Sequence, residues 1–185
     1  LPPGETTDRL RDDLNALSRT IRQVLACARA DALDWDEQRS IDLVPIAERV
    51  VAATAPLAYA HGVELSLNTS NAPVQAFADE DAVEVALSNL VENAVLHGGH
   101  GPVEITVGPG PEIRVRDHGP GLPAGGKHRI FEPFWRAEHA PPGGTGLGLA
   151  IVERLQKAQD GAIDTRTPDE GGAEFILSYR AVVPA

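Results

Sequence analysis

Near the N-terminus, apolar residues recur at alternating steps of four and three: Leu10, Leu14, Leu17, Ile21, Val24 and Ala28. That heptad rhythm predicts one amphipathic helix over residues 8–31, capped by Thr7 or Asp8 after the turn-like LPPGE. A helix folded onto its own domain would show a similar stripe. One strand of an intermolecular four-helix bundle suits the spacing better, because a single helix cannot bury both sides of so strict a seam. The rhythm then stops. Residues 31–44 gather Asp31, Asp34, Asp36 and Glu37 around Trp35 and read as a linker. The expected division is a bundle helix over 1–34, a linker over 35–44 and a folded domain over 45–185.

Within that domain the period keeps changing between helix and strand. A helix should start near Pro45, which a first turn tolerates, run toward His61-Gly62 and kink at Pro56. GVELSLN (62–68) and VQAFAD (74–79) alternate as strands do. From Asp79 to Leu96, the residues Val83, Leu87, Leu90, Val91 and Ala94 share one helix face. Strands are expected at 103–107 and 112–116, a helix from Leu147 to Gln159, and strands again at 162–167 and 173–180. Between them, 118–146 is rich in Gly and Pro and holds one aromatic island, IFEPFW. A loop of that length in a compact domain is usually functional.

Composition narrows the function classes. At 42% hydrophobic the chain can build a core, and a net charge of −11 argues against a nucleic-acid partner, whose phosphates need a basic surface. The single cysteine, Cys27, sits among Leu25, Ala26 and Ala28 as a packing residue, and it cannot make an internal disulfide. No apolar run approaches the roughly 20 residues of a membrane helix. With no methionine and Leu1 at its start, the chain is expected to be a piece of something longer. Any membrane span would then lie in segments not included.

Four segments carry candidate chemistry. In LSNLVENAVLHG (87–98), Asn89, Asn93 and His97 are four apart and share a helix face, offering amide oxygens to a hard cation and donors to phosphates. In RVRDHGPGLP (114–123), a strand ends at Asp117 and opens into Gly119 and Gly121; a carboxylate there can accept from an exocyclic amine. In RIFEPFWRA (129–137), the aromatics could anchor a lid or form a satellite cluster, and Arg136 could reach phosphate. In GGTGLGLAIV (143–152), glycines run into a helix start, where backbone N–H groups favour anions. Singly, each has an ordinary structural explanation. Their order is the signal.

In that order the chain resembles the histidine kinase ATPases, which share a nucleotide fold with DNA gyrase, mismatch-repair ATPases and a heat-shock chaperone. NLVENAVLH resembles the N box, DHGPG the first glycine box, FEPFWR the F box and GTGLGLA the second glycine box. The resemblance covers roughly 45–180, and the N-terminal helix resembles the second helix of the kinase dimerisation hairpin. It implies an α+β fold, a two-layer α/β sandwich of the Bergerat type with a mixed sheet covered on one face by helices. It implies ATP and Mg²⁺, with Asn93 on the metal, Asn89 by the phosphates, His97 toward the adenine pocket and Asp117 on the adenine amino group. Gly119, Gly121, Gly144, Thr145, Gly146, Leu147, Gly148 and Arg136 complete the implied ATP site, with 122–143 as its lid.

The same resemblance implies a sensor kinase that dimerises through the N-terminal helix, phosphorylates a histidine and passes the phosphoryl group to a response regulator receiver domain. The location it implies is the cytoplasmic side of an inner-membrane protein. None of the six histidines lies on the N-terminal helix, so the acceptor is expected outside this chain. Two departures stand out. Leu96-His97 replaces the family's basic residue and its aromatic or histidine neighbour, for which Lys127, His128 or Arg136 could substitute, and GAEFILSY departs from the small-hydroxyl-rich ending.

GLPAGGKH (121–128) is a decoy for a phosphate loop: His128 stands where a metal-binding hydroxyl is required. A water-splitting ATPase of the same fold is one rival, but it would need a glutamate base where Asn89 stands; Glu92 points off that face and reads as a solvated helix residue. A non-catalytic nucleotide-binding or dimerisation module is the other.

Overall fold

The computed structural model describes residues 39–70, 72–99, 101–122, 129–137 and 145–182. The helix expected over 8–31, and with it the bundle seam, lies outside the described residues.

The first difference from expectation is at residues 39–44, which are not linker. Arg39–Asp42 is strand β1, paired antiparallel with β3 (Gln75–Ala78). Helix α1 starts at once, Leu43–His61, with Pro45 in its first turn. Asp42 joins the two: its Oδ1 caps the helix through Val44 N (3.1 Å) and also accepts from Val74 N (3.0 Å). An acidic run beside Trp35 thus hid a strand whose one decisive residue is a cap. Helix α1 is continuous through the exposed Pro56 and closes at Gly62, which is left-handed at φ 66°.

Strand β2 (Leu65–Thr69), helix α2 (Glu80–His97), β4 (Val103–Val107) and β5 (Glu112–Arg116) follow the expected pattern closely. Asp79 caps α2 by accepting from Ala82 N at 2.7 Å, and the predicted apolar face is buried, joined by Ala82, Ala86 and Val95. A 3₁₀ turn (Arg129–Phe131), helix α3 (Gly148–Ala158) and strands β6 (Ala162–Arg166) and β7 (Glu174–Ser178) complete the main body.

The run at 173–180 splits after Tyr179, whose N–H still extends the β5–β7 ladder by donating to Pro111 O (2.9 Å). Arg180–Ala181 becomes β8 and pairs with β3. There are therefore two sheets: a small one, β1-β3-β8, and a mixed one, β2-β4-β5-β7-β6, parallel only between β2 and β4.

On the large sheet the register puts Leu67, Ile105, Val115 and Phe175 in one row and Val107, Ile113, Leu177 and Ile163 in another, all part of the core shared with the helices. The opposite face carries Glu104, Arg116, Glu174 and Arg166 side by side, with alternating charge across four strands. This is the expected two-layer α/β sandwich. The stretch Leu43–Ala60 is long and apolar enough to cross a membrane by length and composition. Its Leu43, Ile46, Ala47, Val50 and Ala58 are buried in the sandwich core, as in a core helix of this composition.

Tyr179 is a poorly satisfied residue of that core. It is 7% exposed, burial pushes its phenol well above the usual tyrosine range, and its hydroxyl has no hydrogen-bond partner among the described residues. Removing an unpaired buried hydroxyl without changing shape should stabilise. Tyr179→Phe is expected to gain about 1 kcal/mol in denaturant unfolding; a loss of that size would mean that the hydroxyl is satisfied.

Candidate functional site

Asp117 leaves the end of β5 and is 8% exposed. Its Oδ1 accepts from two backbone amides, Gly119 N at 2.9 Å and Ala173 N at 3.1 Å, while its own N–H donates to Ala173 O at 2.9 Å. The carboxylate is therefore fixed by the backbone on both sides, and both of these bonds fall on Oδ1, with Oδ2 turned to a further donor. The end of α2 presses directly on it: a Cβ at Gly98 would lie 2.6 Å from the Asp117 Cβ, and one at Gly119 would lie 2.7 Å from the Gly98 carbonyl carbon. Only glycine permits that approach. The helix bearing Asn89, Asn93 and His97 thus ends against the carboxylate.

A second junction joins α2 to the glycine-rich turn. Asn89 donates its Nδ2 to Val85 O (2.8 Å), and its Oδ1 lies 3.2 Å from where a Cβ on Gly148 would be. Helix α3 begins there without any side-chain cap; Thr145 Oγ1 accepts from Leu147 N at 3.3 Å, before the first helical residue. First-turn N–H groups with no cap are available to an anion.

The third junction ties the aromatic island to the same turn. Gly146 has φ +69°, and a Cβ on it would meet the Phe134 carbonyl carbon at 2.7 Å; Phe134 N donates to Gly146 O at 2.9 Å and is itself left-handed at φ 66°. Ile130 is buried, Phe131 and Trp135 pack on the core, and Phe134 is 73% exposed. The island is anchored to the core, and its backbone is strapped to the turn that starts α3.

The three junctions bring Asn89, Asp117, Gly119, Gly146, Leu147 and Gly148 into one region around α2. Asn93 is half-buried one turn beyond Asn89, and Gly121 (φ +77°) follows Gly119. His97 is exposed as the last residue of α2, and Arg136 is exposed and engaged in an interaction of its own. Glu92, expected to be solvated, is half-buried and engaged. Gly144, Lys127, His128 and most of the expected lid lie outside the described residues.

Sequence reasoning missed Gly98, for which the Gly-Gly pair after the helix was an available signal, and Ala173, whose backbone contribution leaves none. It also missed how the charges beside Asp117 are spent: Arg116 pairs with Glu170 (2.7 Å) and His118 with Glu104 (3.0 Å). The Arg116 guanidinium holds the exposed Glu170 carboxyl below its usual range, and the hydrogen bond to Glu170 raises Arg116 in turn. Among the described residues no group of three or more His, Cys, Asp or Glu is arranged to hold a metal. A cation here would need ligand oxygens as well as amides, which suits a hard ion carried in with phosphates.

The sequence signature of the histidine kinase-, DNA gyrase B- and HSP90-like ATPases matches residues 78–182, spanning all three junctions. The chain belongs to this ATPase family. Among its relatives, the signal transduction histidine-protein kinase AfsQ2 of Streptomyces coelicolor is 34% identical over 74% of this chain and 26% of its own length. The sensor histidine kinase MtrB of Mycolicibacterium paratuberculosis is 32% identical over 97% of this chain and 33% of its own. This chain thus spans about a quarter to a third of each. Among solved structures, full-length ShkA in complex with AMPPNP superposes at a TM-score of 0.77 with 29% identity, covering 100% of this chain and 40% of that one. As a member of the ATPase family, the chain has a nucleotide-binding fold.

Gly146→Ala combines a left-handed backbone with a backbone clash, so it should cost about 1–3 kcal/mol locally. We expect faster hydrogen exchange at the Phe134 amide, with protection of α2 unchanged. Unaltered exchange at Phe134 would show that the strap does not depend on this glycine.

Proposed function

We propose that the chain is the ATP-binding catalytic part of a two-component sensor histidine kinase, presenting Mg·ATP to a histidine on a dimerisation helix. One observation carries this reading: Asp117 is held by two backbone amides at Oδ1, with its second oxygen left for a donor such as the adenine amino group. The names of AfsQ2 and MtrB support the kinase class, and the AMPPNP bound to ShkA supports a nucleotide in this fold.

In this reading Asp117 selects the base. The uncapped start of α3, with Thr145, Gly146, Leu147 and Gly148, takes the phosphates, and Gly119 and Gly121 let the backbone close around the nucleotide. Gly144, His97 and Arg136 belong to the same proposed site. Asn93, through its amide oxygen and together with the phosphates, would hold Mg²⁺, which neutralises charge on the transferring group. Asn89 marks the outcome of the chemistry. An amide cannot act as a base toward water, and this one already donates Nδ2 to its own helix. The acceptor is then a histidine nitrogen: it bonds to the γ-phosphorus, the bond to the β,γ-bridging oxygen breaks, ADP leaves and the imidazole gives up its proton. The phosphoryl group passes next to an aspartate of a receiver domain. The working assembly is a homodimer through the helix at 8–31, on the cytoplasmic side, with any membrane attachment made elsewhere and no role for nucleic acid.

Two measurements test this. Asn93→Ala should lower Mg²⁺-dependent ATP affinity at least about tenfold in calorimetry while leaving the unfolding transition in place; unchanged affinity would remove Asn93 from the site. Incubated with labelled ATP and Mg²⁺, the chain alone should acquire no acid-labile phosphate. It should phosphorylate a separately supplied dimerisation helix bearing a histidine, at a rate reduced by the loss of covalent linkage. Phosphohistidine on the isolated chain would place the acceptor among its own six histidines instead.

A further inference from the structure

Two glutamines at the far end of α3, Gln156 and Gln159, are each 0% exposed. A primary amide without water must find protein partners or pay a penalty of about 1–3 kcal/mol for each unmet group, and these two do so in series. Gln156 Nε2 donates to Ala162 O on β6 (2.9 Å) and more weakly to Ser178 O on β7 (3.4 Å). Gln159 Nε2 donates to Gln156 Oε1 at 2.8 Å, and Gln159 Oε1 accepts from Asp79 N at 3.2 Å. Asp79 is the cap of α2, its own Oδ1 accepting from Ala82 N. A continuous relay therefore runs from the sheet through the end of α3 to the cap of α2.

Helices α2 and α3 run in opposite directions, so this relay and the Asn89–Gly148 junction sit at opposite ends of α3. The two ends differ in kind. At Gly148 there is no side chain to interlock with α2 and no side-chain cap on the helix, so the start of α3 is held by apolar packing and by the strap to Phe134. At the other end, directional hydrogen bonds tolerate little displacement. We propose that Gln156 and Gln159 are positioning residues for the phosphate half of the nucleotide site. They fix where α3 lies along α2, and through that rigid helix they set the gap between Asn89 and the N–H groups at its start. Asp117 hangs from β5 and the backbone of residues 119 and 173, none of which bonds to either glutamine, so the base half has its own anchor. The inference rests on the nucleotide reading given above.

The separate anchoring of the two halves supplies the test. Adenosine, titrated by NMR, reports the base half; Mg·ATP, titrated by calorimetry, reports both. Gln159→Met breaks the relay with an unbranched side chain of similar size. It should weaken Mg·ATP about tenfold and leave adenosine within about twofold. Gln156→Met interrupts the relay one link earlier and should give the same split, so the test does not hang on one variant folding. Gln159→His, whose neutral ring keeps one donor and one acceptor, should recover most of the Mg·ATP affinity. A merely structural role would move adenosine and Mg·ATP together, or neither, and either result in both methionine variants overturns the proposal. Asp117→Asn separates the underlying reading: it should weaken both ligands, and if it weakens neither while the methionine variants still split them, the adenine assignment fails and the relay stands.

Discussion

The base half of this candidate site hangs from one carboxylate oxygen. Asp117 Oδ1 takes two backbone N–H groups, one from the loop after its own strand and one from the start of β7. That double bond count compensates for burying the carboxylate, which unpaired would be costly. It also fixes the direction of the second oxygen, so a ligand's donor meets a preorganised acceptor. The end of α2 can press against this point only because Gly98 and Gly119 lack side chains. The helix carrying Asn89 and Asn93 thus ends against the same carboxylate.

Much of this was legible in the residues. The period of α2 and the alternation of β4 and β5 located those elements to within a residue, because each has one face on the core and one toward solvent. The order of the four motifs marked segments whose described residues meet around α2. Asp117, read as a carboxylate at a strand end, is a carboxylate at a strand end. The glycines at 119 and 146 stand where a neighbouring backbone leaves no room for more, and the Asn89 side chain comes close at 148.

What was not legible has common causes. Strand β1 is four residues long and lies in an acidic stretch, so its pattern was too short to register; it exists because β3 offers it an edge. The break after Tyr179 comes where Arg180 and Ala181 pair with the distant strand β3, and local alternation runs straight across it. Ala173 contributes only its main chain. Gln156 and Gln159 look like polar residues on a helix exterior, and only the tertiary partners Asp79, Ala162 and Ser178 explain their complete burial. Side-chain pattern reports which face is apolar; it says little about which buried amide meets which distant carbonyl.

The most direct measurement is the affinity of the unaltered chain for Mg·ATP against Mg·ITP, two triphosphates that differ where the base is read. Inosine presents a carbonyl oxygen where adenine presents an amino group, so a fixed carboxylate would accept from one and face the other oxygen to oxygen. A site built to hydrogen-bond a particular donor discriminates strongly against a ligand lacking it, here by an expected hundredfold or more, about 2.7 kcal/mol. Equal affinities would contradict the assignment of Asp117 to the base and leave the carboxylate as a structural clamp alone.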